Sequence, residues 1–261
     1  MRRLAALALA VALTATAAPS YADRADAPAR VVAAPLAGRV IVLDPGHQLG
    51  NRRFPDKINR LVPAGGMRKP CNTTGTATNG GYPEATFAWQ VAQLVRARLE
   101  RLGATVRLTR TANSAKLFGP CVDVRGRDGN EVPADLKLSI HADGVTTSST
   151  TDGRRPHGFH VITPADRRAW THAIYPTSYR LAQLTRSALR DQGLPVANYV
   201  AGGTGLAVRS DLGTLNLSTV PTVMVELGNM RNRGDAQRMR SARGRATYAA
   251  GLVAGIRAYL R

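Results

Sequence analysis

Five short runs rich in β-branched residues punctuate this chain, and helical periodicities separate them. They lie at Arg39–Asp44, Ala104–Thr109, Leu136–His141, Gly158–Ile162 and Thr222–Glu226. The first, Val40-Ile41-Val42-Leu43, is uninterrupted and stops at Pro45-Gly46, as suits a strand covered on both faces. Between the first two, Pro83–Leu102 repeats apolar residues at Phe87, Val91, Leu94, Val95, Leu99 and Leu102, one side of a helix closed by Gly103. Further helices are predicted over Val122–Glu131, Tyr175–Gln192 and Ala236–Leu260, and residues 49–81 read as loop. Strands that alternate with helices predict an α/β fold: a single three-layer domain with a central, mostly parallel sheet flanked by helices. It should run from residue 38 to residue 261, without repeats or an internal linker.

Residues 1–22 read as a signal peptide. Met1-Arg2-Arg3 is a positive start, Leu4–Ala18 is apolar, and Ser20-Tyr21-Ala22 supplies small residues for cleavage after Ala22, with Ala18 as the alternative. A spanning helix needs about 20 apolar residues, so an anchor is not expected. Residues 23–37 read as a flexible leader rich in Ala, Pro and Arg. The mature protein should then be secreted, to the periplasm or the cell wall. In an oxidising compartment Cys71 and Cys121, the only cysteines, are expected to pair as a disulfide.

The formal charge is +19, and only four of the 36 basic residues are Lys. Solvated helix faces account for much of this; attraction to anionic envelope polymers is the functional alternative. Aromatics make up 5% and do not interleave with a basic stripe, which weighs against a nucleic-acid partner.

Three apolar runs end in residues of metal-binding type: Asp44-Pro45-Gly46-His47, Ser139-Ile140-His141-Ala142-Asp143 and Val225-Glu226-Leu227-Gly228. Sites in open α/β sheets gather at the carboxyl ends of strands, so His47, His141 and Glu226 can converge there. Glu84, in the first turn of the clearest helix, can point into the same crevice. Two imidazoles and a carboxylate form a catalytic zinc set with one position left open. A further carboxylate can then accept a proton.

In this order, from Val42-Leu43-Asp44-Pro45-Gly46-His47 through Glu84 and Leu138–Asp143 to Pro221–Asn232, the motifs resemble the zinc-dependent N-acetylmuramoyl-L-alanine amidases. The resemblance spans roughly residues 39–259. It implies one Zn2+ held by His47, Glu84 and His141, with Glu226 as the catalytic carboxylate. The implied reaction is hydrolysis of the amide between the lactyl group of N-acetylmuramic acid and L-alanine in peptidoglycan or its fragments. Asp143 stands where that family usually has Asn, and Asn229 where many members have an aromatic residue. A zinc peptidase acting within the stem peptide, and a non-catalytic cationic envelope-binding protein, are the alternatives. A monomer is expected. The Gly202–Gly205 cluster lacks phosphate-loop spacing, His157 and His160 are not expected to be joint ligands, and no Gly-x-Ser-x-Gly elbow occurs.

Overall fold

The computed structural model describes residues 34–261 apart from 132–133, 147–149 and 151. The expected signal peptide and most of the leader lie outside the described residues. Residues 34–37 are described, and Leu36 packs into the core with its amide on the Leu102 carbonyl, 2.8 Å away. Residue 36 thus already takes part in the packing of the domain.

The described residues form eight strands: β1 (Val40–Pro45), β2 (Leu61–Pro63), β3 (Arg68–Pro70), β4 (Thr105–Leu108), β5 (Leu136–Asp143), β6 (His160–Pro164), β7 (Leu206–Arg209) and β8 (Thr222–Asn229). The helices are α1 (Pro55–Asn59), α2 (Glu84–Arg101), α3 (Val122–Arg127), α4 (Tyr175–Asp191), α5 (Gly213–Asn216), α6 (Arg233–Arg240) and α7 (Ala242–Tyr259). The six-stranded sheet has the order β4-β1-β5-β8-β6-β7. Its neighbours are parallel except β6 with β8, so the sheet is mostly parallel as expected.

The closing helix is two helices, not one. Ser241 adopts an extended backbone (φ −83°, ψ 143°), and its hydroxyl accepts from the Gly244 amide, capping α7. The predicted 122–131 helix stops at Arg127, where Asp128 turns extended. Other features escape periodicity: the short helices α1 and α5, the four-residue edge strand β7, and the β2–β3 hairpin inside the stretch read as loop.

The two faces of the sheet differ chemically, because successive side chains alternate sides. Ile41, Leu43, Leu138, Ile140, Val223 and Val225 form one core with α2, α4 and α7, where Phe87 meets Tyr248 edge-on at 5.6 Å. The intervening residues Asp44, Lys137, Ser139, His141 and Glu226 face the opposite side. Small apolar clusters around Val42 and Met224 help cover that side, together with α3 and α5. The candidate site residues His141 and Glu226 lie on this polar face.

Candidate active site

His47 lies two residues beyond β1. Its backbone is left-handed (φ 54°), shared among described non-glycine residues only with Ala201. That conformation costs an L-residue about 1 kcal/mol, so neighbours must hold it. The Gly46 amide donates to the Ile140 carbonyl at 2.9 Å, which ties the turn to β5. Gly46 must lack a side chain: a Cβ there would fall 2.4–2.7 Å from three atoms of the His141 ring.

Glu84 opens α2 after Pro83, whose ring suits a helix start. Its carboxylate is oriented by two backbone amides: Thr76 donates to Oε2 at 2.9 Å and Ala142 to Oε1 at 3.2 Å. Oε1 also lies 2.9 Å from His141 Nδ1 and 3.1 Å from His47 Nε2. The ligand atoms of all three residues fall within 4.8 Å of one another. The other nitrogen of His47, Nδ1, sits 3.1 Å from the Thr73 carbonyl, which selects the tautomer that turns the Nε2 lone pair inward. Burial opposes the Glu84 charge, but His47 and His141 outweigh it and hold the carboxyl well below its usual range. Two imidazoles and one carboxylate at these distances fit a divalent cation of the zinc type.

Glu226 sits on β8 directly across from His141 of β5. Its Oε2 is enclosed and has no hydrogen-bond partner among the described residues. Burial, then the charges of Glu84 and Asp143, push this carboxyl well above its ordinary value, with Arg209 opposing them. A cation among the ligands would act in the same sense as Arg209. The sheet thus brings His47, Glu84, His141 and Glu226 together as the sequence suggests. They meet at the carboxyl end of the sheet: His47 just beyond β1, His141 and Glu226 near the ends of β5 and β8, and Glu84 from the start of α2.

All four line a cleft of about 460 Å³, bounded by Lys69, Asn72, Thr73, Gly75 and Thr76 on one side and by Arg209, Asp211 and Thr214 on another. The 49–81 segment therefore borders the site. A Cys71–Cys121 disulfide joins its end to the start of α3. Asp143 also lines the cleft and accepts from the Tyr199 hydroxyl at 3.2 Å. Asn229 is buried and donates to the carbonyls of Val145 and Pro156, so it pins a loop instead of facing the cleft.

Sequence reasoning missed the polar group beneath the site. Asp44 is fully buried between Arg125 (2.5 Å), Ser139 (2.6 Å) and Thr109 (2.5 Å). Burial opposes its charge, yet Arg125 and the two hydroxyls hold its pKa far below the carboxylate norm. Arg110, also buried, donates to the carbonyls of Pro45, Gly46 and Ala85. A buried Asp at a strand end does call for a cation. With so many arginines in the chain, nothing marked which one.

Fold and site together define a class: a single-domain α/β protein with a His-Glu-His cluster of metal-ligand type in an open cleft and an acid beside it. The chain belongs to the N-acetylmuramoyl-L-alanine amidase family, whose family model matches residues 41–258. It is 41% identical over 250 residues to the N-acetylmuramoyl-L-alanine amidase Rv3717 of Mycobacterium tuberculosis, covering 95% of each chain. It resembles the apo crystal structure of the N-acetylmuramyl-L-alanine amidase Ami1 from Mycobacterium abscessus with a TM-score of 0.77 and 43% identity, over 86% of this chain and 100% of that one. The crystal structure of Ami1 from Mycobacterium smegmatis matches with a TM-score of 0.77 and 38% identity, over 86% of this chain and 98% of that one.

Proposed function

We propose that this enzyme is a secreted, zinc-dependent amidase that hydrolyses the bond between the N-acetylmuramic acid lactyl group and L-alanine, in wall remodelling or in fragment recycling. The observation that carries the reading is Glu226: it lines the same cleft across from the His141 imidazole, with one enclosed carboxylate oxygen that has no partner among the described residues. His47 Nε2, His141 Nδ1 and Glu84 would hold one Zn2+, which when bound supplies Lewis-acid polarisation and a lowered water pKa.

The chain's own groups do the rest. Thr73 fixes the His47 tautomer through Nδ1, and the Thr76 and Ala142 amides keep the Glu84 carboxylate aimed at both imidazoles. Glu226 accepts the proton of the attacking water and returns it to the departing L-alanine nitrogen. Burial suits it to this role, because a base of raised pKa is the better proton acceptor near neutral pH. Among the described residues no helix is long and apolar enough to cross a membrane. The charge of +19 supports contact with anionic wall polymers.

The test is mass spectrometry of muropeptides after incubation with the purified protein, with and without a chelator. Free stem peptides that vanish on chelation are expected. Cleavage between stem-peptide residues instead would refute the bond assignment, and intact muropeptides would refute turnover. Amino-terminal sequencing of the exported protein tests secretion, and Met1 at its start would refute cleavage.

A further inference from the structure

Two buried guanidiniums account for every carbonyl of the turn that carries His47. Arg125, 3% exposed, sends Nη1 to the Pro45 carbonyl at 2.8 Å and Nη2 to the His47 carbonyl at 2.7 Å. Arg110 takes the Gly46 carbonyl at 3.3 Å and shares that of Pro45 at 3.0 Å. Arg125 is thus the side chain that grips His47's own backbone, where the left-handed conformation turns the imidazole toward Glu84. Its planar fork bridges carbonyls two residues apart while Asp44 neutralises it at 2.5 Å, a geometry that an ammonium cannot reproduce.

Arg125 is itself held from the disulfide. Its backbone amide donates to the Cys121 carbonyl at 3.0 Å, and its Nε donates to the Pro120 carbonyl at 2.9 Å. Across the bridge, Cys71 leads through Asn72 to Thr73, whose carbonyl faces His47 Nδ1. Asn72 reaches back to the Pro120 carbonyl at 2.9 Å, and the Val122 amide donates to the Cys71 carbonyl at 2.7 Å. One covalent junction therefore anchors the grip on the His47 backbone and the contact to its ring.

We propose that Arg125 is a positioning residue for the ligand His47, and that the Cys71–Cys121 disulfide holds Arg125 in place for that task. The proposal rests on the metal reading above. Arg125 borders the cleft with only 3% of its surface exposed, and it and the disulfide act by presenting His47 Nε2 in one direction.

The experiment measures zinc affinity by competition with a chromophoric chelator, on the full chain. It compares wild type, R125K, the C71A/C121A double variant and their combination, and follows melting of the zinc-free proteins alongside. R125K keeps the charge and loses the fork. It should weaken zinc binding ten- to a hundredfold, as loss of a ligand's support does elsewhere, while the zinc-free protein still melts cooperatively. At saturating zinc, kcat should fall with KM little changed, and the absorption spectrum of the cobalt(II)-loaded protein should shift. The double variant should weaken zinc in the same direction, and the combination by less than the product of the two effects, because they act through one support. Wild-type zinc affinity in R125K would overturn the proposal alone. Multiplicative effects would overturn the link to the disulfide. Wild-type protein that binds no zinc would overturn the metal reading and the proposal with it. Should R125K not fold, D44N, which frees Arg125 from its counter-ion, must weaken zinc for the proposal to stand.

Discussion

Gly46→Ala is the sharpest probe of the site, because it adds one methyl group and removes no ligand. Gly46 is not among the residues with positive φ, so alanine meets no backbone penalty there. The new Cβ would stand 2.4 Å from His141 Cε1, 2.6 Å from Nδ1 and 2.7 Å from Nε2. Ordinary contact is near 3.5 Å, so the ring must retreat by about 1 Å. That retreat cannot leave both its 2.9 Å approach to Glu84 and the shared focus with His47 intact. Overpacking of this kind costs about 1–3 kcal/mol of stability, a fall of roughly 3–10 °C in Tm for a domain this size. A misplacement of about 1 Å in a reacting constellation costs on the order of 100-fold in rate. The assay is kcat/KM on a purified muropeptide beside zinc content by atomic emission and a melting curve. The expected result is a large loss of activity and zinc with a modest loss of Tm. Near-wild-type activity at full zinc occupancy would show that His141's position does not matter, and the three-ligand reasoning would fail.

Three more predictions follow from the same geometry. Glu226→Gln should retain zinc and lower kcat by about 100- to 10,000-fold; because one enclosed carboxylate oxygen, Oε2, lacks a partner, a neutral amide there should leave Tm unchanged or higher, and a large fall in Tm would contradict that. Removing the disulfide with Cys71→Ala and Cys121→Ala opens a loop with a sequence separation of 50. Loop-closure entropy then predicts a loss of about 4 kcal/mol, which urea unfolding would measure. Lys137 is pushed down to about 8 by burial, with Asp44 and Asp128 opposing. Its unfolded value is about 10.4, so the folded state binds fewer protons between these limits and this group makes stability rise with pH across that window. Urea midpoints at pH 7.5 and 9.5 should therefore diverge more in wild type than in Lys137→Met; an equal divergence would refute the assignment.

The sheet and the candidate site residues on it were legible for a shared physical reason. A strand buried on both faces reads as an uninterrupted apolar run, so the polar residue that ends it stands out, as His47 and Glu226 do. The long helices α2 and α4 were legible by their apolar spacing. What escaped lacked such contrast. β7 is four residues long and follows a Gly-rich turn, and the break between α6 and α7 depends on one serine whose hydroxyl prefers the Gly244 amide. The Arg110–Asp44–Arg125 group escaped because Arg125 lies 81 positions from Asp44 and Arg110 lies 65 from Pro45 beside it, separations that only the fold brings together. Asn229, which stands where many family members have an aromatic residue, faces loop carbonyls, since its place on β8 alternates away from Glu226 after Gly228.

The alternation that places His141 and Glu226 on the polar side of their strands also limits how this family can diverge by insertion and deletion. One residue gained or lost in β5 or β8 would swing every later side chain to the other face and drive two ionisable groups into the oily layer against α2 and α7. Length changes should therefore accumulate in the connections, such as those flanking β6 and β7, where the rim of the cleft can be rebuilt while the strands beneath it keep count.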